Sequence, residues 1–259
     1  MKNLAVVVLS CDKYSDLWDL FFDRWERFWP DCPYDLYLIS NKLEYNRENV
    51  NILKTEEDID WSTNLLIILE KIIQDNVLLM IEDAPLNKIV ETKEFNKLYE
   101  KFCKEKLNYL NLKSSPCPNG KKNEEMGELI KGSLYRAALE PCIWNKEVLK
   151  LLTLKGESAW DFEILGTERS DIFPRFFSLN KPFFQLLHCV VQGKIDRRAH
   201  RHLKKTKEIL KVNFPTMTYN EYITLRFREI CSYIFTIIIP SKYQRKIRTS
   251  TIRYLKKLK

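Results

Sequence analysis

Two acidic groupings and three histidines are the residues whose types and spacing suit catalysis. Glu82 and Asp83 end the apolar run of "VLLMIEDAPL" (77–86). A carboxylate at a buried strand end can take a divalent cation through one or two oxygens, leaving other positions to water and diphosphate oxygens. The same pair also fits a solvated turn in which Asp83 bonds nearby backbone N–H groups. Glu157, Asp161 and Glu163 surround Trp160 in "GESAWDFEILGTER" (156–169). Carboxylates at a helix start beside a large aromatic offer a general base and a platform for a sugar face. Ser158 followed three residues later by Asp161 equally fits a capping box, which would make Asp161 partly structural. His200 and His202 stand two apart on an expected helix, point different ways and form no metal pair. His188 lies in an apolar stretch, as a core histidine or a third metal ligand.

Other chemistries find less support. The chain has no Gly-rich phosphate loop and no G-x-S-x-G. Its seven cysteines are scattered without a C-x-x-C pair, which argues against zinc and a disulfide framework and for reduced, mostly buried thiols.

The elements that must position these groups read as a layered α/β pattern. "LAVVVLSCD" (4–12) is a continuous apolar run, as expected of a strand buried on both faces. A helix follows, with Leu17, Leu20, Phe21, Trp25 and Phe28 at helical spacing, Ser15 as its cap and Pro30 as its stop. Strands at 34–41 and 50–55, a helix at 60–75 with Ser62 or Thr63 near its cap, and the strand ending at Glu82 complete β-α-β-β-α-β. In such sheets ligands sit beyond the carboxyl ends of the strands, where Glu82 and Asp83 lie. Further on come a helix (91–106), a strand (107–114), a polar loop (115–128), a strand running into a short helix from about Asn145, and a helix at 156–169.

With 259 residues, 45% of them hydrophobic, the chain can bury a sizeable core. No apolar segment reaches the roughly 18 residues that would span a bilayer. "LAVVVLS" is too short for a signal peptide and runs at once into Asp12, Lys13 and Asp16. The expectation is a cytoplasmic protein. Residues 194–259 carry 18 Lys and Arg against 4 Asp and Glu, whereas the first 193 carry 25 against 31. A catalytic domain at 1–193 and a basic helical region at 194–259 are therefore expected. In "YQRKIRTSTIRYLKKLK" Ile247, Ile252, Leu255 and Leu258 can share one side, the pattern of a helix in the headgroup region of an anionic bilayer. No nucleic-acid motif accompanies the basic segment. A non-enzymatic basic module on anionic lipid or nucleic acid, and a metal-dependent nucleotidyl- or phosphotransferase, are the competing readings.

Taken in order, "VVVLSCDKYSDLWDLFFDRWERFWPDCPYDLYLISN", "DWSTNLLIILEKI", "VLLMIEDAPLNKIV", "LYRAALEPCIWNKEVLKLL", "GESAWDFEI" and "VVQGKIDRRAHRHLKK" resemble a group of bacterial GT-A-type glycosyltransferases that build capsule and lipopolysaccharide O-antigen chains. The resemblance covers residues 4 to about 205. It implies a Rossmann-like, mostly parallel sheet flanked by helices, with a basic helical C-terminal extension. It implies that Glu82 and Asp83 take the D-x-D-like position holding Mn²⁺ or Mg²⁺ and the diphosphate. Ser10, Asp12 and Tyr14 would lie near the nucleotide, and Glu157, Asp161 and Glu163 would face the acceptor, with Asp161 first in line as base. Trp160 and His188 would border the acceptor. The implied donor is a nucleotide-diphosphate sugar, UDP-linked first of all. The implied acceptor is a lipid-linked saccharide at the inner face of the cell membrane. Two departures stand out: Ala159 replaces an expected proline, and Ala84–Pro85 replace bulky aromatics after the acidic pair.

Overall fold

The computed structural model of the protein describes residues 3–118, 124–208 and 212–248. Ile252, Leu255 and Leu258 of the expected terminal helix lie outside the described residues.

The central sheet has eight strands: β1 (Leu4–Leu9), β2 (Asp35–Ser40), β3 (Val50–Lys54), β4 (Asn76–Ile81), β5 (Tyr109–Asn111), β6 (Met126–Glu128), β7 (Cys142–Asn145) and β8 (Phe176–Leu179). They lie in the order β3-β2-β1-β4-β7-β5-β8-β6. The first four are mutually parallel; β7 runs antiparallel to both β4 and β5, and β6 antiparallel to β8. All six residues of β1 are buried, which is why that strand reads as one apolar run instead of alternating.

Alternate residues of β1 feed two separate cores. Leu4, Val6 and Val8 pack with α1 (Trp18–Phe28) and α3 (Thr92–Lys104), through Phe21, Trp25, Phe95 and Phe102. Ala5, Val7 and Leu9 pack on the other face with α2 (Trp61–Lys71) and α4 (Lys146–Leu152). The period of two along the strand thus meets helices on both sides.

One helix start differs from expectation. Ser15 does not cap α1; it lies within a 3₁₀ turn (Asp12–Leu17) that leads into the helix. Asp60 caps α2 with Ser62 and Thr63 beside it: its carboxylate accepts from the Thr63 N–H at 2.8 Å and from the Ser62 and Thr63 hydroxyls at 2.7 Å. Those two hydroxyls bond the cap.

Beyond α4, a three-residue turn α5 (Ala159–Asp161), a π-helical turn (Phe162–Gly166) and α6 (Thr167–Arg169) form one helical run. Short strands β9 (Val190–Val191) and β10 (Lys194–Ile195) pair as a hairpin. They precede α7 (Arg197–Thr206) and the long α8 (Tyr219–Ile238). Ala199 and Leu203 of α7 pack with Leu17, Leu20 and Cys189, so this part of the basic region is built onto the sheet domain. Among the described residues no helix is long and apolar enough to cross a membrane.

Candidate active site

The carboxyl ends of β1, β2 and β4 meet at one edge. Asp12, just past β1, bridges to the loop after β2. Its carboxylate accepts the backbone N–H groups of Asn41 (2.8 Å), Lys42 (3.0 Å) and Leu43 (3.3 Å). Its own N–H donates to Asn41 Oδ1 at 3.0 Å. Asp12 is therefore committed to fixing the two loops against each other. Ser10 is also engaged, its hydroxyl accepting from Trp18 Nε1 at 2.7 Å. The Tyr14 ring stacks on Phe214 with centroids 5.1 Å apart. Burial, then the charges of Glu82 and Asp83, push the Tyr14 hydroxyl up, so this ring stands close to the acidic pair.

At the end of β4 the backbone turns, with Ala84 N–H donating to Ile81 O at 3.1 Å. The segment 185–189 then runs alongside. Cys189 N–H donates to Asp83 O (2.7 Å), Leu187 N–H to Pro85 O (2.9 Å) and Asn87 N–H to Gln185 O (2.7 Å). This accounts for the Ala84–Pro85 departure. Ala84 is 0% exposed, so an aromatic has no space there, and proline's missing N–H leaves no buried donor unpaired. Glu82 is buried, and burial followed by the neighbouring Asp83 raises its carboxyl well above the usual range. Burial and then Glu140 push Asp83 up to about 7, with Lys113 pulling the other way.

Lys113 and Glu140 complete the cluster and were not anticipated. Lys113 Nζ lies 3.1 Å from Glu140 Oε1, while Glu140 Oε2 is buried without a hydrogen-bond partner. Glu163 faces the same group: burial pushes its carboxyl up, Lys113 draws it down, and it accepts from Leu139 N–H at 3.4 Å. His188, brought in beside Asp83 by the paired segment, is pushed down by burial and drawn up by Glu140. The one available signal for Lys113 was a cation at the end of the strand in "LNYLNLKS"; Glu140 gave none.

The three acids around Trp160 have separate fates. Glu157 is held by Arg169 in a bidentate pair, both contacts at 2.7 Å. Asp161 closes the capping box: it accepts from Ser158 Oγ (2.6 Å) and N–H (3.1 Å), which lower its carboxyl, and it stays exposed. Glu163 alone of the three reaches the Lys113–Glu140 group. The π turn is the local cause, since its extra residue per turn re-aims the side chains that follow the cap. Phe162 anchors it, fully buried against Trp61 and Trp144 with centroids at 5.5 and 6.2 Å. Gly166 leaves space for that ring, because a Cβ there would come within 3.1 Å of it. Trp160 is 67% exposed. Glu163 also lines a cavity with Tyr135, Thr167, Arg245 and Arg248.

Among the described residues no group of three or more His, Cys, Asp or Glu is gathered to hold a metal. A divalent cation bound through one or two carboxylates and substrate phosphates needs fewer protein ligands. Asp83 and the free Glu140 oxygen fit that donor set.

No protein-family model matches the chain, and no curated protein does. Among solved structures it is similar to residues 1–349 of TarS from S. aureus, with 11% identity, a TM-score of 0.52, and coverage of 93% of this chain and 76% of that one. The same fragment in complex with UDP-GlcNAc gives 12% identity, a TM-score of 0.49, and coverage of 93% and 77%. A putative glucose-1-phosphate thymidylyltransferase from Bacillus anthracis gives 9% identity, a TM-score of 0.45, and coverage of 82% and 98%. The alignment to a longer TarS chain spans 36% of its length. Together with the strand order above, the likeness to TarS 1–349 shows that the chain has a GT-A-like, Rossmann-like α/β fold.

Proposed function

We propose that the chain is a glycosyltransferase that moves a sugar from a nucleotide-diphosphate sugar to a hydroxyl of a saccharide acceptor. The observation that carries this reading is the placement of Asp83. It ends β4 at the ligand-binding edge, under-neutralised beside Glu140, with Glu163 facing the same group from the helical run. The GT-A-like fold supports it, as does the fact that TarS 1–349 was solved with UDP and with UDP-GlcNAc.

In the reaction, the bond from the anomeric carbon to the diphosphate oxygen breaks as the acceptor oxygen bonds to that carbon. Glu163 takes the hydroxyl proton; its raised carboxyl pKa moves it toward the range in which a general base works near neutral pH. Asp161 is the weaker candidate, because its carboxylate already closes the Ser158 cap. Asp83 and Glu140 would hold Mn²⁺ or Mg²⁺, with Glu82 buried behind them, and the cation would neutralise charge building on the leaving diphosphate. Lys113 adds a fixed positive charge to the same end of the site. Ser10 and Asp12 organise the loops beside the nucleotide, Tyr14 walls the pocket, and Trp160 and His188 border the acceptor side.

The sequence resemblance supports a lipid-linked acceptor at the inner face of the membrane, in capsule or O-antigen assembly. Incubation with UDP-, GDP- and CMP-sugars and Mn²⁺, followed by product analysis, tests the reading. Release of a nucleoside phosphate with sugar transferred to water or an added glycan is expected, and transfer of the nucleotide itself would overturn it.

A further inference from the structure

α8 presents an apolar stripe to the outside. Tyr219, Ile223, Phe227, Ile230, Ile234 and Ile238 recur at spacings of 4, 4, 3, 4 and 4, so they share one face, and each is between 47% and 67% exposed. Tyr233, beside the stripe, is 65% exposed. Over 20 residues the stripe runs about 30 Å, far more apolar surface than an isolated exposed side chain. The first two turns of the helix are tied down. Lys194 pairs with Glu221, Arg226 with Asp196, and Arg198 Nε donates to the Tyr222 hydroxyl at 2.6 Å. A Thr218–Glu221 capping box fixes its start.

Charge and spacing say what covers the stripe. From Ile239 to Lys259 the sequence has eight Lys and Arg and no Asp or Glu, a composition suited to anionic headgroups. The stripe's mean repeat is longer than the 3.5 residues of a left-handed coiled coil, so a second copy of α8 would lose contact along the helix. A flat bilayer surface tolerates the drift. We propose that α8 lies in the interface of a bilayer rich in anionic lipid, its stripe at the headgroup–acyl boundary and the exposed Lys242 and Lys246 toward the headgroups.

The contact reaches the candidate site. Arg245, seven residues after α8, donates to Asp171 at 2.7 and 3.0 Å and to Ser133 O at 3.2 Å. Arg248 donates to the Tyr135 hydroxyl at 2.8 Å. Both arginines line the cavity that holds Glu163, so a bilayer-bound α8 holds that cavity near the membrane surface, where a lipid-linked saccharide would be presented. This last step rests on the transferase reading; the lipid contact itself does not.

The test is co-flotation of the full chain with phosphatidylcholine vesicles, with and without a quarter phosphatidylglycerol, beside a Phe227→Asp/Ile234→Asp double variant. Both positions are exposed, so circular dichroism and Tm should match the unaltered chain. The native chain should float with the anionic vesicles, at least tenfold less with the neutral ones, and the double variant should lose at least tenfold. Equal flotation of the two proteins, or no flotation of the native chain, would overturn the proposal. So would a native dimer by light scattering that the variant converts to monomer, since the stripe would then face a second copy. Nucleotide-sugar binding in solution, measured on the same samples, should be unchanged by the variant. Its absence alongside positive flotation would sink the transferase reading and leave the lipid contact standing.

Discussion

Asp83→Asn should stabilise the protein when no divalent cation is present. Burial and Glu140 lift the carboxyl of Asp83 from 3.8 to about 7, so the folded chain keeps a proton that the unfolded chain has released. A group raised in this way contributes fully below the unfolded pKa, and its contribution is lost as pH rises through the folded value. Above pH 7 the fold carries a charged Asp83 against Glu140, and asparagine removes that charge. A shift of this size corresponds to at most about 4 kcal/mol at about 1.4 kcal/mol per pKa unit. Asp83 keeps some solvent contact, so about half, roughly 2 kcal/mol, is expected. For a domain of this size that is about 4–8 °C in Tm. Differential scanning fluorimetry in EDTA at pH 5 and pH 8 measures it. The variant should melt several degrees above the native chain at pH 8, and the gap should close toward pH 5. His188, held low by burial, acts equally in both proteins and drops out of the difference. A variant that melts below the native chain at pH 8, or a gap that widens on acidification, would refute the electrostatic account of this site. Adding Mn²⁺ should then raise the Tm of the native chain and leave the variant unmoved.

Other substitutions separate chemistry from scaffold. Glu163→Gln should lower the transfer rate by about 10²-fold or more while donor affinity, read by calorimetry, stays within twofold; Asp161→Asn should keep most of the activity, because that carboxylate is committed to the Ser158 cap. Glu157→Gln should destabilise by about 1–3 kcal/mol in urea unfolding, because Arg169 loses a bidentate partner in a mostly buried pair. Gly132 has φ +88, and a Cβ there would meet Lys242 O at 2.9 Å. Gly132→Ala should therefore loosen the segment carrying Arg245 and Arg248, seen as faster proteolysis after residue 240 and about 1–3 kcal/mol lower stability.

How much of this was visible in the residues varies with distance along the chain. The buried strands β1 and β4 were readable as apolar runs because both faces of each are covered by helices. β6, β8, β9 and β10 were not, since two to four residues show no period and their pairing is decided by partners far away. Asp83's place just past the carboxyl end of β4 followed from the strand that carries it. Lys113 and Glu140 escaped because they come together only when β7 inserts antiparallel between β4 and β5. The π turn that turns Glu163, and not Asp161, toward Lys113 and Glu140 was not legible, because no residue pattern in "AWDFEILG" announces it. The basic C-terminal bias was plain in composition. That α8 carries an exposed apolar stripe became evident only from the side that the domain leaves uncovered.

The central claim is that Asp83 marks a binding site for a nucleotide-diphosphate sugar. Isothermal titration of the full chain with UDP-, GDP- and CMP-linked sugars, with Mn²⁺ or with EDTA, tests it most directly. At least one donor should bind with Mn²⁺, and both EDTA and Asp83→Asn should weaken it by at least tenfold. Binding that is indifferent to Asp83→Asn, or no binding across the donor panel by a chain that still melts cooperatively, would contradict the account.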